Sequence, residues 1–309
     1  MIDEEIINKP TIIITSIGRT GTVFFKYLFE QVLYDCYAVH EADRFTYARD
    51  VDNLFNKLKI ISELGLLNTT IFKLMGKWGI KSLSDNRIIK KINEEEAKKL
   101  LLSYRKKFIE NKKYEVFVES NYHYYGLIDI VNETFSNSKL IYILRDGRDW
   151  VRSFLNKGGL YSYKDWHTFF NTRLNPYMFD EDPFKDEWKQ MSLFEKHCWA
   201  WKKMNEYALS TIKNNPNAKI IYFEDIFENK KKYENIKKLI EFVTNFPNYG
   251  NIKYNPNKIF LEKKMNKSQK NCFPHWRDWE QDLRLKFNLH CEPLMKKLGY
   301  GTENEWLQE

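Results

Sequence analysis

The sequence is poor in the features that extracellular, membrane-spanning and metal-stabilised proteins depend on. Its four cysteines, Cys36, Cys198, Cys272 and Cys291, are scattered, with no C-x-x-C pair. Zinc sites and disulfide frameworks need clustered or regularly spaced cysteines, so neither is expected, and isolated thiols fit a reducing compartment. No apolar run approaches the roughly 20 residues of a membrane-crossing helix. The opening residues, Met1-Ile2-Asp3-Glu4-Glu5, are acidic and lack the basic-then-apolar layout of a signal peptide, so a cytoplasmic protein without an anchor is expected. There is no internal repeat, low-complexity linker, recognisable metal-ligand cluster or nucleic-acid-binding motif.

What is present suits one large core. The 309 residues are 43% hydrophobic and 16% aromatic, which excludes compositional disorder. A formal net charge of +8 invites an anionic partner: nucleic acid, a membrane surface or a small anionic molecule. Lys, Asn and Ile are abundant along the whole chain, so the charge alone selects none of these.

Short β-branched runs alternate with helical patterns. Thr11-Ile12-Ile13-Ile14-Thr15 reads as a strand buried on both faces, followed by a glycine-containing loop and a helix from Val23 to Leu33. Further strands are predicted at Cys36–Val39, Tyr114–Val118, Lys139–Leu144 and Lys219–Phe223, with helices at Glu94–Glu110, Tyr124–Phe135, from Val151, up to about Lys213, at Tyr233–Val243 and at Gln281–Leu298. This alternation predicts a single α/β domain over 1–309, with a mostly parallel, P-loop-like sheet flanked by helices. A helical insertion is expected at about 50–113, and an aromatic-rich excursion at about 158–188, taken as core in preference to a lid.

Two strand ends carry the chemistry. The first loop, Ser16-Ile17-Gly18-Arg19-Thr20-Gly21-Thr22, leads into a helix N-terminus, where backbone N–H groups and the helix dipole favour an anion. Gly18 and Gly21 allow a tight turn, Thr20 and Thr22 add hydroxyl donors, and Arg19 adds a fixed cationic fork. The spacing and the Lys-Ser/Thr ending of G-x-x-x-x-G-K-[ST] are missing, which weakens a kinase or nucleotide-hydrolase alternative. At the second end, Ile143-Leu144-Arg145-Asp146-Gly147-Arg148-Asp149-Trp150-Val151-Arg152-Ser153 sets a strand-end Arg145 against the hydroxyl of Ser153 two helical turns on. That pair is a sensible clamp for a phosphomonoester.

These segments resemble the two nucleotide signatures of the sulfotransferases that use 3′-phosphoadenosine-5′-phosphosulfate (PAPS). Arg19, Thr20, Gly21 and Thr22 match the family's phosphosulfate loop, with Val23 in place of its final Thr. Arg145, Asp146, Arg148, Asp149 and Ser153 satisfy its R-D-x-R-D-x-x-x-S motif. Ile221-Tyr222-Phe223-Glu224-Asp225 is similar to its aromatic-E-D segment, which implies Phe223 near the adenine. Trp276-Arg277 and Leu298-Gly299-Tyr300 are similar to its C-terminal ending. Many members carry R-K-G before that Trp; here Lys267-Ser268-Gln269-Lys270-Asn271 stands there, with Lys267 or Lys270 as the stand-in.

The resemblance implies sulfuryl transfer from PAPS to an acceptor hydroxyl or amine, leaving adenosine 3′,5′-bisphosphate (PAP), with no metal. Arg19 and the 18–22 loop would stabilise charge on the bridging oxygen, although Arg19 cannot give up a proton as the Lys of many members can. The first candidate for the general base is Glu41, where several branches place a glutamate, with His40 as rival and Glu119 or His123 behind them. A small molecule, a glycan or a lipid all remain open as acceptor. The alternative of a nucleic-acid binder predicts binding that falls steeply with salt.

Overall fold

Five β-branched runs form one sheet in which every strand is parallel to its neighbours. In this computed structural model, which describes residues 2–43, 64–110, 113–163, 165–213, 215–260 and 273–307, the strands are β1 (Thr11–Thr15), β2 (Cys36–His40), β3 (Val116–Ser120), β4 (Ser138–Leu144) and β5 (Ala218–Tyr222). Their order is β2-β3-β1-β4-β5. A short α1 (Ile2–Asn8) precedes β1, and α2 (Thr22–Val32) follows it. The insertion after β2 supplies α3 (Ile80–Ile88) and α4 (Glu94–Ile109), its residues up to 63 lying outside the described ones. Then come α5 (Ile128–Thr134), α6 (Gly147–Leu155), α7 (Leu193–Ile212), α8 (Phe223–Phe227), α9 (Lys232–Thr244) and α10 (Gln281–Lys297).

The continuous apolar strands are explained by two cores, one on each face of the sheet. Ile12, Ile14, Ile141 and Ile143 pack under α2 and α9 with Phe25, Leu28, Leu239 and Ile240. Ile13, Leu140, Tyr142 and Leu144 point the opposite way, against Trp150, Trp201 and Phe287 of α6, α7 and α10. Strand residues alternate between faces, so both sets must be apolar when both faces are covered. Among the described residues no helix is long and apolar enough to cross a membrane. Cys36, Cys198 and Cys291 are free thiols; Cys272 lies outside the described residues.

Three sequence expectations shift. Strand β3 begins at Val116, two residues later than predicted, because pairing sets it: Phe117 lies opposite Thr11, and Ser120 opposite both Ile14 and His40. The helix predicted from Tyr124 splits into a 3₁₀ turn, Tyr122–Gly126, and α5. Gly126 sits where a Cβ would come 2.5 Å from the Ser84 carbonyl oxygen, so close helix packing dictates the break. Phe223, predicted as the last residue of a strand, instead opens α8.

Candidate functional site

All the parallel strands end on one side, and the chain leaves β1 in one direction and reaches β4 in the other. The crevice beside such a reversal is where open α/β sheets bind ligands. The loop after β1 fills it. Gly18, Arg19 and Gly21 have φ of 88°, 57° and 78°. Backbone of that hand forms concave N–H surfaces that take anions. Positive φ is costly for a residue with a Cβ, so the loop needs its glycines, and Arg19 must be held in place.

It is held through its carbonyls. The Trp150 indole donates to the Gly18 carbonyl at 2.9 Å, and Arg145 Nη1 donates to that of Arg19 at 2.7 Å. Ser120 Oγ donates to the Thr22 carbonyl at 2.5 Å, and Phe24 N–H to that of Gly21 at 2.9 Å. Ser16 Oγ accepts from the Gly18 N–H at 2.9 Å and from the Thr20 hydroxyl at 2.7 Å. With those four carbonyls tied down, the N–H groups of Thr20, Gly21, Thr22 and Val23 have no acceptor among the described residues. The loop therefore presents donors and hides acceptors.

Arg145 and Ser153 converge on the same loop. Arg19 Nε donates to Ser153 Oγ at 3.0 Å. The Arg145 guanidinium lies 4.3 Å from the centre of the Phe223 ring, and its buried Nε has no hydrogen-bond partner among the described residues. A buried N–H without an acceptor is uncommon and aims at something it can bond. Phe223 packs on Phe227 at 4.6 Å between centroids, and Phe227 closes over Gly21, where a Cβ would meet its ring at 2.7 Å. The aromatic pair thus spans from the loop to Arg145.

The remaining motif residues hold the frame. Asp146 caps α6 by accepting from the Arg148 N–H at 2.8 Å, leaving Asp149 in the first turn. Arg148 is fully buried: Nη2 pairs with Asp146 and Glu303, and the guanidinium stacks 4.0 Å from the ring of Trp276. Glu224 accepts from the Asp146 N–H at 3.0 Å and from the Tyr300 hydroxyl at 2.9 Å. Burial raises the Glu224 carboxyl above its ordinary range. The four sequence signatures are consequently linked in one series of contacts, two of them through groups that never face the crevice.

On the other side of β1, Glu41 is buried at the end of β2 with φ 47°, its N–H donating to the Ser120 carbonyl at 3.0 Å. Its Oε1 lies 3.3 Å from His40 Nε2. Ser120 is also the residue that holds Thr22, so one residue separates Glu41 from the loop. The Tyr122 ring lies against Gly18 and packs at a tilt on His123, with centroids 3.8 Å apart. Glu119, expected to face the crevice, does not. It is fully buried and accepts from Arg105 Nε (2.5 Å) and Nη2 (2.8 Å), the Tyr124 hydroxyl (2.7 Å) and Asn121 Nδ2 (2.9 Å). Both oxygens are occupied, which removes it as a proton acceptor. Lys267 and Lys270 lie outside the described residues.

The aromatic excursion divides. Tyr161, Trp188 and Trp199 interlock, with ring centroids about 5 Å apart, whereas Trp166, Phe169 and Phe170 contact one another in the open. His197 anchors the start of the excursion: its Nε2 accepts from the Leu160 N–H at 2.9 Å and its Nδ1 donates to the Leu193 carbonyl at 2.5 Å. Burial pulls its pKa down to about 4. Sequence reasoning missed Ser16, Ser120, Trp150, Phe227 and Arg105. Trp150 and Ser16 had a signal, as parts of the Arg145–Ser153 stretch and of the 16–22 loop; the others had none in their own segment.

No family model and no curated protein matches the chain. Solved structures similar to it include the sulfotransferase domain from the curacin biosynthetic pathway, at 14% identity over 95% of this chain and 98% of that one, with a TM-score of 0.40. A sulfotransferase from Alicyclobacillus acidocaldarius is 13% identical over 97% of this chain and 99% of that one, with a TM-score of 0.43. Likeness at that level leaves the chemistry to be argued from the site's own residues.

Proposed function

We propose that this chain is a PAPS-dependent sulfotransferase. The observation that carries the proposal is the loop at 16–23, in which the carbonyls of Gly18, Arg19, Gly21 and Thr22 are taken up while four consecutive N–H groups have no acceptor among the described residues, with Arg145 and Ser153 drawn to the same place. Such a surface suits the phosphosulfate end of the donor. Arg145, through Nε and Nη2, and the Ser153 hydroxyl suit its 3′-phosphate, and Phe223 with Phe227 offers a flat wall for the adenine. Bound there, PAPS would supply the activated sulfuryl group and a bisphosphate leaving group.

The chain's own part is positioning and charge. Arg19 and the open N–H groups would stabilise charge growing on the bridging oxygen; removing one such donor typically costs about 10²–10³ in turnover. Glu41 is the preferred proton acceptor for the attacking hydroxyl, because it is buried beside the loop and keeps His40 within 3.3 Å. A Mg²⁺-dependent nucleotide hydrolase would need a carboxylate free to bind metal near the loop. Asp146 is tied to Arg148 and Glu119 to Arg105, so neither of these two carboxylates is free for that role.

Calorimetry with adenosine 3′,5′-bisphosphate, without added metal, tests the donor site, and mass spectrometry of acceptor panels incubated with PAPS tests transfer. Saturable bisphosphate binding and a sulfuryl mass gain are expected. Tight Mg²⁺–ATP binding with no response to the bisphosphate would sink the proposal.

A further inference from the structure

Glu41 stands where β2 leaves the sheet, in a backbone conformation that needs support. Its φ of 47° is left-handed, which a residue with a Cβ resists. Its N–H extends the ladder to β3 by one bond, to the Ser120 carbonyl. After it, neither Ala42 nor Asp43 makes a backbone-to-backbone hydrogen bond among the described residues. The side chain of Asp43 takes over. It is 2% exposed, and its carboxylate gathers donors from several elements at once. Oδ2 accepts from the Ile80 N–H at 2.9 Å, at the start of α3, and lies 3.8 Å from Lys73 Nζ. Oδ1 accepts from Asn121 Nδ2 at 3.3 Å, just beyond β3, and lies 3.4 Å from Arg105 Nη2 of α4. Lys73 Nζ also bonds the Asp43 carbonyl. The fit is close, since a Cβ on Gly79 would come 2.9 Å from Oδ2.

Asp43 is not suited to take a proton itself. Burial acts to raise its carboxyl, but Lys73 and Arg105 outweigh burial and hold it down at about 2. A carboxylate so stabilised stays ionised and is a poor base near neutrality. Its use is mechanical. Arg105 also binds Glu119, which pairs in register with Val39 of β2. The turn that carries Glu41 is therefore fastened to both helices of the insertion and, through Arg105, to β3.

We propose that Asp43 is a positioning residue: by fastening the exit of β2 to α3 and α4, it fixes where the Glu41 carboxylate stands beside the 16–23 loop. The assignment rests on the reading of Glu41 as proton acceptor, and it gives the helical insertion a part in the reaction. Placement matters because a shift of about 1 Å costs roughly 10²-fold in rate. The test is Asp43→Asn, which keeps the shape but sets an NH₂ among donors, checked by its melting curve. Hydrogen exchange read by mass spectrometry across 36–43, without nucleotide, should be about tenfold faster for the loss of one hydrogen bond to a charged group. The kcat for transfer from PAPS should fall about tenfold to a hundredfold, with bisphosphate Kd kept within about twofold. In a Glu41→Gln background the same change should cost less than about twofold, because the residue it acts through is gone. A merely structural role costs the same factor in both backgrounds, and that result overturns the proposal. So does a folded Asp43→Asn with wild-type exchange across 36–43, or with wild-type kcat. Lys73→Met covers the case in which Asp43→Asn misfolds: it should lower kcat about threefold with bisphosphate affinity kept, and wild-type kcat there is equally fatal. Full turnover in Glu41→Gln alone removes the base assignment and this proposal with it, whereas an inactive Glu41→Gln beside a fully active Asp43→Asn removes only the proposal.

Discussion

Replacing Arg145 by alanine is expected to weaken adenosine 3′,5′-bisphosphate binding by about a hundredfold. The magnitude follows from how the guanidinium is used. Nη1 is committed to the Arg19 carbonyl at 2.7 Å, and Nε is buried without a partner among the described residues, so Nε and Nη2 remain for a phosphate. Hydrogen bonds to charged groups contribute about 1.5–3 kcal/mol each, and a net loss of about 3 kcal/mol is roughly a hundredfold in Kd. The alanine variant also frees the Arg19 carbonyl, which loosens a loop residue held at φ 57°. Arg145→Lys separates the two effects: it keeps the charge, loses the fork, and should cost about tenfold. Isothermal titration calorimetry reads both affinities, and thermal melts verify the fold. Alanine and lysine variants binding within twofold of wild type would refute the assignment of Arg145 to the ligand.

Glu41→Gln should keep bisphosphate affinity within twofold and lose roughly 10²–10⁴ in kcat, measured as sulfuryl transfer from PAPS; full turnover would pass the proton to His40 or His123. Glu119→Gln leaves buried Arg105 with only the more distant Asp43 carboxylate, at 3.4 Å, so urea unfolding should show a loss of about 3 kcal/mol, and a loss under about 1 would contradict the buried pair. His197 predicts acid sensitivity: its ring stays neutral in the fold down to about 4, whereas the unfolded ring takes up a proton near 6.5. That contribution is complete above about pH 6.5 and is lost as pH falls toward 4, by about 3 kcal/mol. His197→Gln can still accept from Leu160 and donate to Leu193, so its melting temperature should fall less steeply between pH 6.5 and 4. An unchanged slope would assign the acid sensitivity to other groups.

Where a residue's place in the fold depended on its neighbours in sequence, that place was legible. The β-branched runs were readable because a strand covered on both faces must be apolar throughout, and the glycine loop because a tight turn into a helix leaves few alternatives. Arg145 and Ser153 were readable because two helical turns bring them to one spot, and they do meet the loop. Where a role depended on a distant partner, the sequence was silent. Glu119 ends β3 beside the crevice, yet Arg105 of α4, from the insertion, claims both of its oxygens. Ser16 and Ser120 look like ordinary strand-end serines until their hydroxyls are seen fixing opposite ends of the loop. The start of β3 was misplaced because propensity marks Tyr114 and Glu115 as extended, while the ladder to Thr11 and Cys36 fixes the register.

The second arginine of the R-D-x-R-D stretch shows why a motif can be strict without every member touching ligand. Arg148 is buried at 0% exposure between Asp146 of its own helix start and Glu303, Trp276 and Trp306 from the last part of the chain. Removing either carboxylate would strand a buried cation, and removing Arg148 would strand Asp146, whose carboxyl burial already raises. Asp146 is the cap that starts α6, and α6 carries Trp150 and Ser153, the two groups that hold Gly18 and Arg19. A change at Arg148 therefore reaches the loop through a helix start, with no charge of its own in the crevice. The loop's open N–H groups depend on that chain of buried pairs as much as on the loop's own glycines.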